Sequence, residues 1–173
     1  QNEHMIQGAM FAERDGKPLE VVLALFLHDI GHLIELEIEE DNLNSGSVNN
    51  IKKVNTDRMG EFGACSHEKK GRCFLERMGV PYPIPQLVEN HVISKRYLVS
   101  TDSNYYNKLS NASKKTLEYQ GGIMSQSEIE YFQKDPLFKM SLKVREYDEM
   151  SKLKNVKLNP LIYYREMLKK YLM

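Results

Sequence analysis

"LALFLHDIGHL", residues 23–33, joins an apolar run to two histidines and an aspartate. Leu23, Leu25, Phe26, Leu27 and Ile30 read as a buried helix whose end carries His28, Asp29 and His32. Ionisable groups beside a core are costly unless they are paired, hydrogen-bonded or bound to a metal. Two readings therefore compete for this stretch: a partly exposed helix end, where such groups cost little, and a metal site.

Working outward, the chain is mostly helical in pattern. Upstream, "EHMIQGAMFAE" (3–13) places Met5, Ala9 and Ala12 at helical spacing, and "RDGKP" (14–18) breaks it. Pro18 suits the first turn of the helix that runs through Val21, Val22, Leu25 and Leu27 into the opening motif. Downstream, residues 35–61 turn polar, with "EEDNLNSGSVNN" (39–50) the most loop-like part; the reading there is a surface excursion or flexible lid. Helices are predicted from Ser66 to Met78, from about Pro85 to Lys95, and from a Ser110 cap through "NASKKTLEY" to Gly121 and Gly122. Ser125 and Glu128 have capping-box spacing. Pro136 opens an amphipathic segment that ends near Ser151, and Pro160 starts the last helix. With no repeat and no run of strands, the pattern predicts a single all-α domain over 1–173.

Composition narrows the function classes. A chain of 173 residues is about one domain. Lysine plus arginine equals aspartate plus glutamate, 24 each, so no overall field favours nucleic acid or an anionic membrane. Cys65 and Cys73 form neither a disulfide framework nor a CxxC knuckle, which predicts reduced thiols and a cytoplasmic setting. No apolar run approaches the roughly 18 residues of a membrane span, and no signal peptide is visible. The sequence starts at Gln1 rather than Met, so part of the N-terminal helix is expected to be missing.

The histidines are His4, His28, His32, His67 and His91, each on or beside a predicted helix. Residues three or four apart share a helix face. His28 with His32, His91 with Lys95, Ser113 with Thr116 and Arg145 with Asp148 have this spacing, as do Glu3 and Gln7 beside His4. Taken singly, each pair reads as a solvated face, and Arg145 with Asp148 as a surface ion pair of little energetic value. Taken together, they describe a metal site assembled from several helices.

A His, then His-Asp, then two more histidines and a late aspartate, in chain order, is similar to the ligand pattern of the HD-domain superfamily. More narrowly, "HDIGH" (28–32), "HEKKG" (67–71), "NHVISKRYLVS" (90–100), "LSNASKKTLEYQGG" (109–122) and "DEMSKLKN" (148–155) resemble the HD-domain oxygenases of organophosphonate breakdown. The resemblance covers nearly the whole chain. It implies a helical bundle in which His4, His28, Asp29 and Asp148 hold one iron, and His67, His91 and a shared Asp29 hold the other. The implied cofactor is a mixed-valent Fe(II)/Fe(III) pair with O2 as co-substrate. Four imidazoles and two carboxylates suit borderline first-row metals such as iron or manganese without singling out iron.

By the same resemblance, His32, Lys95, Ser113, Thr116 and Arg145 surround the phosphonate and hydroxyl of a small organophosphonate substrate, while Gln120 and Gly121 keep a structural reading. The implied reaction is oxidative cleavage of the C–P bond of a 1-hydroxyalkylphosphonate, of the 2-amino-1-hydroxyethylphosphonate type, to phosphate and a carboxylate such as glycine. The rival enzyme class is a metal-dependent HD phosphohydrolase acting on a phosphate ester or nucleotide. A metal-bound module without catalysis is the third. Family members carry a tyrosine and a glutamate shortly before the first ligand. The sequence from Gln1 shows neither, so the substrate's tail stays open. The 35–61 excursion is longer than in compact members.

Overall fold

The residues from Val21 to Leu27 are all apolar, so a helix built from them has no polar face and must be surrounded. The computed structural model, which describes residues 2–34, 59 and 65–173, places this helix at the centre. α1 (Asn2–Arg14) leads into α2 (Leu19–Leu27), and every α2 residue from Val21 to Leu27 is buried. Helical backbone resumes at 30–34 after a turn at His28 and Asp29. There follow α3 (His67–Arg77), α4 (Ile84–Thr101), α5 (Tyr105–Lys108), α6 (Asn111–Tyr119), α7 (Gln126–Gln133), α8 (Phe138–Met150) and α9 (Leu161–Leu172). No strand occurs among the described residues, and the all-α fold is as the sequence predicts.

α2 packs against α1, α4, α8 and α9, and α4 also packs against α3 and α8. Leu23, Leu25, Leu87, Val88, Val144 and Tyr164 fill the space between these helices. Each large apolar side chain moved from water into such a core contributes about 1.5–3 kcal/mol. This packing fixes the ends and faces of α1, α2, α3, α4 and α8, which carry the chemistry.

Local signals held in several places. Ser110 caps α6 by accepting from the Ser113 N–H, and Ser125 with Glu128 forms the complete capping box of α7. Pro18 stands one place earlier than predicted, as the N-cap of α2. Its carbonyl accepts from the Val21 and Val22 N–H groups, and having no N–H costs it nothing there. α4 continues past Lys95 to Thr101, and the short α5 has too few residues to leave a periodic signal. The predicted 35–61 excursion lies outside the described residues except at Met59. That residue is a correction to the surface reading, because its side chain is only 1% exposed.

Two glycines set how closely the site's elements approach. A Cβ on Gly8 would lie 2.8 Å from Ser151 Oγ, where α1 meets the end of α8. A Cβ on Gly31 would lie 2.0 Å from the His67 carbonyl oxygen, so the segment after α2 runs directly against the first residue of α3. Gly31→Ala is expected to force these two backbones apart, costing on the order of 3 kcal/mol. Urea unfolding with a parallel metal titration checks this, and wild-type stability together with wild-type metal uptake would contradict it.

Candidate metal centre

The apolar face of α2 ends where the bundle opens, so the next residues, His28 and Asp29, emerge at the mouth of the core. His4 reaches the same point from α1, His67 from the start of α3, His91 from the middle of α4 and Asp148 from α8. His28, His67, His91 and Asp148 are buried; His4 and Asp29 are partly exposed.

The hydrogen bonds define which nitrogen of each ring faces inward. Nδ1 of His4 donates to the Ser151 carbonyl at 2.9 Å, that of His28 to Leu25 at 2.8 Å and that of His91 to Val88 at 2.6 Å. A carbonyl can only accept, so these Nδ1 atoms carry protons, and in the neutral rings each Nε2 presents a bare lone pair. Those lone pairs converge. The Nε2 atoms of His4 and His28 are 3.2 Å apart, and those of His67 and His91 are 3.1 Å apart. Asp148 Oδ1 lies 2.9 Å from His4 Nε2 and 3.7 Å from that of His28.

Asp29 stands between the two groups. Its Oδ2 is 3.6 Å from His28 Nε2, while its Oδ1 is 3.5 Å from His67 Nε2 and 3.9 Å from His91 Nε2. Acceptors packed this closely repel one another unless a cation lies among them. Two nitrogens about 2.1 Å from one metal at a right angle sit roughly 3.0 Å apart, close to the separations found here. The donor set therefore fits two metal ions sharing Asp29.

His32 complicates the division of roles. Its ring stacks on His67 at 3.9 Å between centroids, and Asp29, His32 and His67 each offer a ligand atom within 4.8 Å of the others. The geometry thus offers His32 as a ligand with Asp29 and His67, whereas the sequence resemblance casts it as a substrate contact.

Electrostatics agree with metal binding. Burial pushes the Asp29 carboxyl up, but His28, His67, His91 and His32 around it prevail and hold it well below its ordinary value. Burial likewise opposes ionisation of Asp148, and Arg145 with the two nearest histidines overcomes it. Burial and neighbouring imidazoles depress His67 strongly and bring His91 down to about 4, so both are neutral and able to donate at neutral pH. His4 moves the other way: burial lowers it, but its hydrogen bond to Asp148 wins.

A pocket of about 100 Å³ opens beside the centre, lined among others by His32, Met59, Val92, Lys95, Thr116 and Gln120. Lys95 Nζ donates to Thr116 Oγ1 at 3.0 Å and to the Ser113 carbonyl at 3.3 Å. Burial, aided by the charge of Arg145, pulls Lys95 down to about 7. The Ser113 hydroxyl instead faces Lys152 Nζ at 3.1 Å. Gln120, given a structural reading from the sequence, lines this pocket, and its Oε1 is buried with no hydrogen-bond partner among the described residues. Its signal was the four-residue spacing from Thr116, the same one-turn step that marked the other pairs.

The Arg145 and Asp148 pair is not on a solvated face. Both side chains are buried, and the guanidinium donates to Asp148, to Glu149 and, at 2.8 Å, to the Tyr105 hydroxyl. The surface-pair alternative is corrected: α8 turns this face toward the metal centre.

No family model matches this chain. It is 44% identical over 172 residues to an uncharacterised protein of Acanthamoeba polyphaga mimivirus, a match spanning 99% of this chain and 71% of that one. It is 36% identical over 158 residues, 87% of this chain and 67% of the relative, to a [1-hydroxy-2-(trimethylamino)ethyl]phosphonate dioxygenase (glycine-betaine-forming) of Leisingera caerulea. It is also 30% identical over 164 residues, 95% of this chain and 73% of the relative, to a hydroxymethylphosphonate dioxygenase of Gimesia maris.

Removing one member of a buried ion pair leaves an uncompensated charge and costs about 3–5 kcal/mol. Arg145→Met should therefore destabilise the fold by that order in urea unfolding at neutral pH. A loss below about 1 kcal/mol, the value of an exposed pair, would show that Asp148 does not depend on Arg145.

Proposed function

The chain belongs to the phosphonate dioxygenase family, and on that premise we propose that it cleaves the C–P bond of a 1-hydroxyalkylphosphonate with O2 as co-substrate at a pair of iron ions. His4, His28, Asp29 and Asp148 hold one ion, and His67, His91 and Asp29 the other. The observation that carries this reading is Asp29, with one carboxylate oxygen toward each group of converging Nε2 atoms. The substrates named for the two relatives share a hydroxyl on the carbon bonded to phosphorus and differ in the tail. That shared part defines the substrate class proposed here, and 2-amino-1-hydroxyethylphosphonate, which yields glycine and phosphate, is the member we favour.

A mixed-valent iron pair supplies the redox chemistry with O2, while the protein positions the substrate and tunes the metals. A C–P bond lacks the bridging oxygen that makes phosphate esters hydrolysable, so oxidation at the adjacent carbon is the direct route to phosphate. Lys95 and Thr116 line the pocket beside the metal ligands and receive the phosphonate, with Arg145, His32 and the Ser113 region around it. Each hydrogen bond to a charged group contributes about 1.5–3 kcal/mol. Gln120 Oε1 and the walls formed by Met59 and Val92 bound the remaining space. No helix among the described residues is long and apolar enough to cross a membrane.

The deciding measurement is O2 uptake by the iron-loaded protein, with phosphate release followed in parallel. The substrates are 2-amino-1-hydroxyethylphosphonate, its trimethylammonium counterpart and hydroxymethylphosphonate. Matched O2 consumption and phosphate release are expected with at least one of them. Phosphate release from esters without O2 uptake would instead establish a phosphohydrolase.

Asp29→Ala is expected to lose both metals and all activity; two irons per chain retained in that variant would refute the bridging role. Lys95 is cationic below about 7 and neutral above it. Its contribution to phosphonate binding should therefore fade as pH rises through that value. Hydroxymethylphosphonate binding without O2, compared between wild type and Lys95→Met across pH 6–9, reads this. The ratio of the two affinities should be about tenfold or more at low pH and shrink toward high pH, whereas a constant ratio would remove Lys95 from the site.

A further inference from the structure

Three of the four histidines whose Nε2 atoms converge give their Nδ1 proton to a backbone carbonyl. His67 does not. Among the described residues, its buried Nδ1 has no hydrogen-bond partner, and neither has Oε2 of the next residue, Glu68. These two atoms lie 3.6 Å apart. That is too long for a hydrogen bond, yet each is the complementary half of one: an N–H that needs an acceptor and a carboxylate oxygen that needs a donor.

Position alone does not explain Glu68. An acidic residue in the first turn of α3 interacts favourably with the helix N-terminus, but an exposed side chain does that as well. Glu68 is instead only 8% exposed, and its Oε2 meets no donor among the described residues. Lys69, Glu89 and Lys95 act on its charge, and none of them hydrogen-bonds that oxygen.

We propose that Glu68 is a positioning residue for the metal centre: it accepts the Nδ1 proton of His67 when His67 Nε2 takes a metal. This rests on the two-metal reading above. A carboxylate partner fixes the tautomer and ring orientation and makes the imidazole a stronger donor than a carbonyl does. His67 is thereby the ring with charge-assisted support, and the half of the centre it shares with His91 binds metal more tightly and favours the higher oxidation state more than it does without Glu68. The sequence "HE" at 67–68 thus encodes a ligand and its tuner side by side.

The test is a Co²⁺ titration of the whole chain, followed by calorimetry and visible absorption. Wild type should take up two ions, and His67→Ala identifies which step belongs to the His67 half. Glu68→Gln keeps the shape and an acceptor but removes the charge. It should weaken that step 10–100-fold while leaving the other step within about twofold, which serves as an internal control for folding. With iron bound, the midpoint potential of the affected half should move to more positive values. Unchanged affinity for both ions, or equal weakening of both steps, would overturn the role of Glu68. Uptake of a single ion by wild type would instead overturn the two-metal reading, and this proposal with it.

Discussion

The organisation of this protein turns on lone pairs forced together. Four imidazole Nε2 atoms and two carboxylates meet at one end of the bundle, with neighbouring acceptors about 3 Å apart in two pairs. Each ring is tied or packed from behind. His4, His28 and His91 are anchored through backbone carbonyls, and His67 lies against His32. A cation among these acceptors converts their repulsion into attraction, and the packing of α1, α2, α4 and α8 holds them in place. The apolar run from Val21 to Leu27 matters for that reason: it holds His28 and Asp29 where the other elements can reach them.

Around this centre the charges are graded. Asp148 is both near the imidazoles and bonded to Arg145, and Arg145 is further held by Glu149 and Tyr105. A guanidinium with three partners is a rigid element of the wall. Among the described residues Lys95 bonds a hydroxyl and a carbonyl, and burial makes its proton easy to lose. Both cations line the pocket, Lys95 as the adaptable one and Arg145 as the fixed one that also holds Asp148.

Much of this was legible residue by residue. The caps at Ser110 and Ser125, the buried run of α2 and the all-α class follow from local rules of hydrogen bonding and periodicity, and they hold. The candidate site residues were legible through spacing and resemblance, and the structure brings the six ligand candidates together. Less visible were Met59, which sits in a polar stretch yet is buried in the pocket wall, and Gln120, whose buried Oε1 meets no partner among the described residues. The end of α4 was missed because its apolar residues Tyr97, Leu98 and Val99 are consecutive and show no helical spacing, although the Ser100 and Thr101 hydroxyls bond back to its last turns.

The sequence by itself determined which residues are helical, which stretch must be interior and which side-chain types are available to a metal and an anion. These are short-range properties, set by backbone hydrogen bonding and by the cost of exposing apolar surface. Tertiary structure alone decided which nitrogen of each histidine faces the centre, that Asp29 presents one oxygen to each group, and that Arg145 is buried rather than solvated. It also placed Oε2 of Glu68 3.6 Å from Nδ1 of His67. Such facts depend on distances between residues far apart in the chain, and those distances exist only once the helices have packed.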